Sequence, residues 1–339
     1  IGPAASGVDG GTEYVFATVA DMLSSLSGEL EKIVSIEFRK GSAVDVNTVK
    51  SLANLSDISI DECDLTELNL SGMTKLNSLS VYGCTKLTKL DVSGCSGLTD
   101  LNVEGCTALD TLILSGCFEL DNVNLSGSAV TEIDLSNRPE LASVNLNGCS
   151  ALESLNISGC PSLENLSLNE TALTKINLST CTALKSLSLS EVSALMELTL
   201  PSVEFEDFTL TESLISSLTL NGGKKLTSLN LSGNAGMLEL NLKNFTALTE
   251  LDVSNCGIIE LNLSGCPALE KLNANGCSIL ANLNLEGCDN LQKLFIGGCN
   301  SLRSLDVSSK SLGCLYLDGL KWLTDVDCSG QFIGRSEEH

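Results

Sequence analysis

Residues 87–108 read LTKLDVSGCSGLTDLNVEGCTA, one eleven-residue phrase written twice in succession. In each copy two apolar residues alternate with period two, Leu90 with Val92 and Leu101 with Val103. Both therefore turn to one side of an extended segment, while Asp91 or Asn102 faces out. The Ser-Gly or Glu-Gly that follows lets the backbone turn a corner, and Cys95 or Cys106 then folds back inward. A unit this short cannot bury its own leucines and needs copies of itself on either side.

The copies are there. LSDISIDECD, LTELNLSGMTK and LNSLSVYGCTK precede the quoted pair from Leu55, and LASVNLNGCSA, LESLNISGCPS, LTELDVSNCG, IIELNLSGCPA and LANLNLEGCDN follow it, each ten or eleven residues long. Alternate units begin at Leu55, Leu76, Leu98, Leu120, Leu141, Leu163, Leu184, Phe205, Leu226, Leu248, Leu269, Leu291 and Leu312, spaced by 21 or 22 residues. These form a first face. The intervening units, from Leu65 through Leu87, Val130, Ile215, Met237 and Ile258 to Leu323, form the opposite face. The spacing predicts a β-rich solenoid of about thirteen coils with two short strands per coil, stacked as two parallel sheets with little room for helix.

Before Leu55 the pattern changes. Residues 1–13 are small and flexible in character, as in a tether. Val15, Val19, Met22, Leu23 and Leu26 have near-helical spacing, Val34, Ile36 and Phe38 alternate as in a strand, and Asp45 precedes a short helical stretch as an N-cap would. Residues 14–54 thus read as an N-terminal cap of helix, strand and short helix, 55–328 as the solenoid, and 329–339 as a C-terminal tail.

Composition narrows the function. With 43 acidic against 19 basic residues the net charge is −24, which disfavours nucleic acid or an anionic membrane surface as a partner. A cationic ligand or calcium is one reading of the carboxylates, and solubility of a long molecule is the other. No apolar run is long enough to span a bilayer. The single histidine, His339, is the last residue, so no folded histidine is available as a general base, triad member or metal ligand; no phosphate loop is present, and no enzyme, cofactor or metal site is expected.

Fifteen cysteines would ordinarily suggest disulfides. Here Cys63, Cys84, Cys106, Cys149, Cys256, Cys277 and Cys299 share the ninth position of first-face units, and Cys95, Cys117, Cys160, Cys181, Cys266 and Cys288 that of the other series. Stacked equivalents have parallel Cβ vectors, which suits buried thiols packing as small hydrophobes better than a disulfide torsion or a tetrahedral metal cage. Ser128, Thr171, Val192, Ser213 and Asn234 take the same place where cysteine is missing.

The pattern resembles the leucine-rich-repeat proteins, and within them the cysteine-ladder internalins of the internalin J type. Its carriers are LTELNLS at Leu65, LTKLDVS at Leu87, VTEIDLS at Val130, LTELDVS at Leu248 and LRSLDVS at Leu302. Doubled cysteine rows and frequent S-G-C corners depart from that group, and no cell-wall sorting motif follows Gly334. The resemblance implies a bacterial surface protein used for adhesion or protein recognition; the residues themselves are read as a non-catalytic module, on the surface or secreted, monomeric, with a protein or glycan partner. Anchoring as an outer-membrane lipoprotein, through a cysteine upstream of Ile1, fits as well as wall attachment; a structural spacer or accessory subunit of a surface assembly is the alternative. The many N-L-S triplets, such as Asn69 and Asn230, are by-products of the repeat and favour a bacterial source.

The outward first-face column supplies the candidate binding site. It runs through small polar residues to Asp252 and Asn273 and then turns aromatic at Phe295 and Tyr316, with Lys271 and Lys293 on successive coils and Trp322 close in sequence. Exposed aromatics beside charge make interface hot spots or sugar-stacking platforms; the alternative is that Phe332 and Ile333 fold back over them. Glu239 and Glu260 share an outward position on consecutive coils, either solvated or bridged by a cation. Phe205 and Phe208 in residues 201–214 read as a local bend.

Overall fold

The computed structural model describes residues 5–9, 12–16, 29–308, 310 and 312–329. The chain is a parallel-strand solenoid of about 13 turns, with almost no helix among the described residues, and it divides into two compact units, Ile1–Ala172 and Leu173–His339.

In the first unit, the first-face strands Asp57–Asp61, Ser78–Tyr82, Asp100–Asn102, Asn122–Asn124, Ser143–Asn145 and Asn165–Ser167 pair in parallel in chain order, behind Ser35–Phe38. The register is one coil per rung: Leu79 lies beside Ile58 and Leu101 beside Leu79. The N-terminal edge is closed by a hairpin. Ala5–Asp9 pairs antiparallel with both Thr12–Phe16 and Ser35–Phe38. Tyr14–Phe16, where the helical spacing begins, is therefore strand, and 17–28 lie outside the described residues. An antiparallel partner costs no crossover and shields backbone groups that would otherwise form an open edge. Asp45 caps the helix Val46–Ser51, its carboxylate accepting from the Thr48 amide (3.3 Å) and hydroxyl (3.0 Å). In the second unit Ser186–Leu189, Asp207–Leu210, Ser228–Asn230, Glu250–Asp252, Lys271–Asn273, Lys293–Phe295 and Cys314–Tyr316 continue the same arrangement.

The core is a stack of identical aliphatic shelves. In residues 87–108, Leu87, Leu90, Val92, Leu98, Leu101 and Val103 are at most 1% exposed, worth about 1.5–3 kcal/mol each by removal from water. Phe205 and Phe208 enter the core edge to face with ring centroids 5.0 Å apart.

The opposite face refines the expectation of a second continuous sheet. Its strands pair only in twos and threes: Glu67–Asn69, Lys89–Asp91 and Thr111–Ile113 form one ladder, Glu132–Asp134 with Ser154–Asn156 a second, and in the second unit Lys175–Asn177 pairs with Glu197–Thr199, Ser217–Asn221 with Glu239–Lys243, Glu260–Asn262 with Asn282–Asn284 and Ser304–Asp306 with Asp325–Asp327. Repeat length explains most of the breaks. Strands starting at Glu132, Ser217 and Glu260 each follow a ten-residue first-face unit, from Leu120, Phe205 and Leu248, and none pairs back to the preceding coil. One residue fewer at the corner tightens the approach. Where a full-length corner lets the second residue of a unit donate to the second residue of the previous one, as Thr88 does to Thr66, the shortened corner makes Ala129 donate to Leu109 and Leu214 to Leu195. Ser304–Asp306 fails to pair with Asn282–Asn284 although its corner is full length, and the repeat offers no account of it.

Each break opens the core. The central inward residue is half-buried at Leu112, Leu198, Leu240 and Leu283, the last strand before a break. It is at most 5% exposed at Leu68, Leu90, Leu218, Leu261 and Leu305, where a paired strand follows.

Candidate functional site

The polar part of the first-face column is made by the corners. An outward Asn or Asp accepts the amide two residues on: Asp252 from Ser254 (2.9 Å) and Asn273 from Asn275 (3.2 Å). The side chain substitutes for a backbone partner at a turn, which is why these residue types recur there. Neighbouring rungs add Asn273 Nδ2 donating to Asp252 Oδ2 at 3.0 Å.

Phe295 and Tyr316 interrupt this column. They are in direct register on adjacent strands, as are Lys271 and Lys293 two residues earlier. Neither ring can accept an amide, so the Gly297 N–H donates instead to Asn275 Oδ1 of the preceding coil at 2.7 Å. The Tyr316 ring lies over Gly297: a Cβ built there would stand 2.5 Å from Cε1 and 2.8 Å from Cδ1. Gly297 is thus a seat for the ring, at a corner position where Ser126, Ser232, Ser254 or Glu104 stands in other coils. Tyr316 remains 46% exposed, with its hydroxyl donating to Asp318 Oδ2 at 3.3 Å, and Phe295 is half-buried beside it.

Charge is graded along the same strands. Lys271 Nζ stands 3.7 Å from Glu250 Oε2, a long pair with both side chains well exposed, worth little in water. Lys293 is exposed and makes no ion pair among the described residues. In a chain of net charge −24 that is an uncompensated cation beside two rings. The next rung carries Cys314, exposed, in register with Lys293. Trp322 is 64% exposed but sits on the corner that leads to the opposite face, outside the two columns. Phe332, Ile333 and His339 lie outside the described residues.

Four of the five expected residues are thereby brought onto one patch of three strands. Gly297 and Asn275 were not singled out by composition or periodicity. Their signal is FIGGCN, in which glycine stands at the seventh position of the unit, where the other units carry a side chain.

None of the fifteen cysteines forms a disulfide, and all but Cys314 and Cys328 are buried. The inward thiols do more than fill space. Cys106 donates to Val81 O, Cys117 to Val92 O, Cys256 to Leu231 O and Cys277 to Val253 O at 2.9–3.2 Å, each reaching back one coil. Two of the substitutes keep a donor: Asn234 donates to Leu210 O (2.8 Å), and Thr171 to Leu168 O (2.9 Å). Arg138 and Lys310 also occupy this ninth position, 5% and 6% exposed. Arg138 donates to Cys117 O, Ser136 O and Leu114 O at 2.9–3.2 Å. Many residues at this place thus supply a donor to a buried carbonyl, whereas Val192 and Phe245 fill it without one.

No protein-family model and no curated protein matches the sequence. Solved structures do. The functional domain of InlJ from Listeria monocytogenes, which includes a cysteine ladder, is similar over 91% of this chain at 22% identity with a TM-score of 0.56. This chain spans 65% of that one. An internalin of the same organism, InlF, aligns over 93% of this chain and 94% of its own at 15% identity (TM-score 0.37). A leucine-rich-repeat protein of Leptospira interrogans aligns over 81% and 83% at 18% identity (TM-score 0.41). The fold is that of a leucine-rich-repeat solenoid, and the buried cysteine stack is a feature it shares with the InlJ domain.

Proposed function

We propose that the chain is a non-catalytic recognition module that binds a protein through the first-face patch of Phe295, Tyr316, Lys271 and Lys293, with Trp322 at its margin. The observation that carries the reading is the seating of Tyr316: its ring is held on Gly297, where other coils have a side chain, and is still half exposed. A rigid aromatic ring with few rotatable bonds is an inexpensive anchor in entropy, and a lone lysine beside it selects a partner with an acidic rim. A glycan stacking on the same rings is the competing ligand. Location on the bacterial surface or in the medium, with or without a lipid anchor, belongs to this reading.

The test is capture of surface proteins by the immobilised chain, beside a Phe295→Ser/Tyr316→Ser/Lys293→Glu variant whose circular dichroism matches the parent. A protein retained by the parent and lost with the variant supports the patch. Equal retention sinks it, and binding confined to a glycan array moves the ligand class from protein to sugar.

A further inference from the structure

The opposite face of the second unit carries a cleft of about 920 Å3 that the first-face patch does not use, lined by Ser217, Leu238, Glu239, Leu240, Asn241, Ile259, Glu260 and Asn262 among others. It opens at a ladder break. Glu239–Lys243 pairs back with Ser217–Asn221 over all five residues, and Glu260–Asn262 pairs forward with Asn282–Asn284, but the two do not pair with each other. The facing edges keep unspent backbone donors and acceptors, and Leu240 on the floor is half-buried where Leu261 is 1% exposed. Phe245 is the bulky residue of this coil's inner row. It fills the cysteine place of its coil, 1% exposed, under the smaller Cys266 of the next.

The walls are chemically sorted. Leu238 and Ile259, 48% and 44% exposed, form an apolar rim in a column where Thr174, Ser216 and Ala281 stand in other coils. Glu260 accepts from Asn282 Nδ2 (3.1 Å) and Asn262 from Asn284 Nδ2 (3.2 Å), which fixes one wall. Glu239 and Asn241 on the other wall have no side-chain partner among the described residues. No three metal-type side chains converge among the described residues, so two carboxylates and an aliphatic rim suit an organic cation better than a metal ion.

We infer that this cleft docks an extended segment of a partner protein presenting a lysine or arginine next to an aliphatic residue. The cation sits between Glu239 and Glu260 and the aliphatic side chain covers Leu240 between Leu238 and Ile259, the peptide lying across the mouth of the break. The volume falls in the ~300–1,000 Å3 range of ligand clefts, and the charge is complementary in a strongly acidic chain.

The test titrates a dye-labelled acetyl-Leu-Lys-Val-Lys-Leu-amide by fluorescence anisotropy. Saturable one-site binding is expected, weakened about tenfold by Glu239→Gln/Glu260→Gln and by Leu238→Ser/Ile259→Ser. Glu132→Gln/Glu153→Gln, which removes the same charge from the other unit, should leave it within about twofold, as should Phe295→Ala/Tyr316→Ala. Equal weakening by the Glu132 and Glu153 changes, equal binding of the peptide with glutamine for lysine, or no saturation overturns the inference. The patch of Phe295 and Tyr316 stands or falls separately.

Discussion

At the scale of single residues, the ninth position of each unit couples burial to hydrogen bonding. Burial pushes the thiols of Cys63, Cys117 and Cys277 up to about 11, and those of Cys256, Cys266 and Cys299 to about 12. Below pH 9 these thiols are protonated folded or unfolded. As pH rises from 9 the unfolded chain loses protons that the folded chain keeps, so stability falls through the window from 9 to about 12. Urea midpoints should be flat to about pH 8.5 and decline above it, less steeply in Cys256→Ala/Cys299→Ala; a flat profile to pH 10.5 would refute this. Arg138 tests the donor requirement directly. Arg138→Leu strands buried carbonyls and should lose about 2–4 kcal/mol in urea denaturation. Arg138→Cys, which restores the repeat and can reach Leu114 O as Cys160 reaches Leu135 O, should cost about 1 kcal/mol or less. The cysteine rows were legible as inward from spacing alone. That they donate to the preceding coil, and that Arg138 can replace them, depends on carbonyl positions that appear only when coils are stacked.

At the scale of elements, unit length governs pairing on the opposite face. The ten-residue unit from Leu248 precedes the break between Glu239–Lys243 and Glu260–Asn262. Inserting one serine after Gly257 restores a 22-residue step there. The amides of residues 260–262 should then gain about tenfold or more in hydrogen-exchange protection, and the cleft should close to the lysine peptide. Unchanged protection would mean that Phe245, rather than unit length, holds the strands apart. The alternation of ten and eleven residues was visible in the sequence, whereas its effect was not, because a missing corner residue could be absorbed in a turn or passed on to the next strand. Tyr316 shows the same limit. Its outward position followed from period two, but the seat on Gly297 arises across coils.

At the scale of the whole molecule, a parallel stack needs its ends protected. The hairpin of Ala5–Asp9 and Thr12–Phe16 lies on the edge strand Ser35–Phe38. A chain lacking residues 1–16 should expose that edge and self-associate, seen by light scattering as mass rising with concentration. A monodisperse monomer at all concentrations would show that 29–54 cap the stack unaided. The sequence by itself determined the coil, its two strands, the inward leucines and cysteines and the outward columns, because these are local consequences of periods of two and eleven. Only the tertiary structure decided which strands pair, where the core is left open, that Ala5–Asp9 and Thr12–Phe16 form strands, and which outward residues meet. Each of those depends on the height at which one coil comes to rest against the next, a quantity set by corner length and by bulky residues such as Phe245 and Tyr316 acting between successive coils.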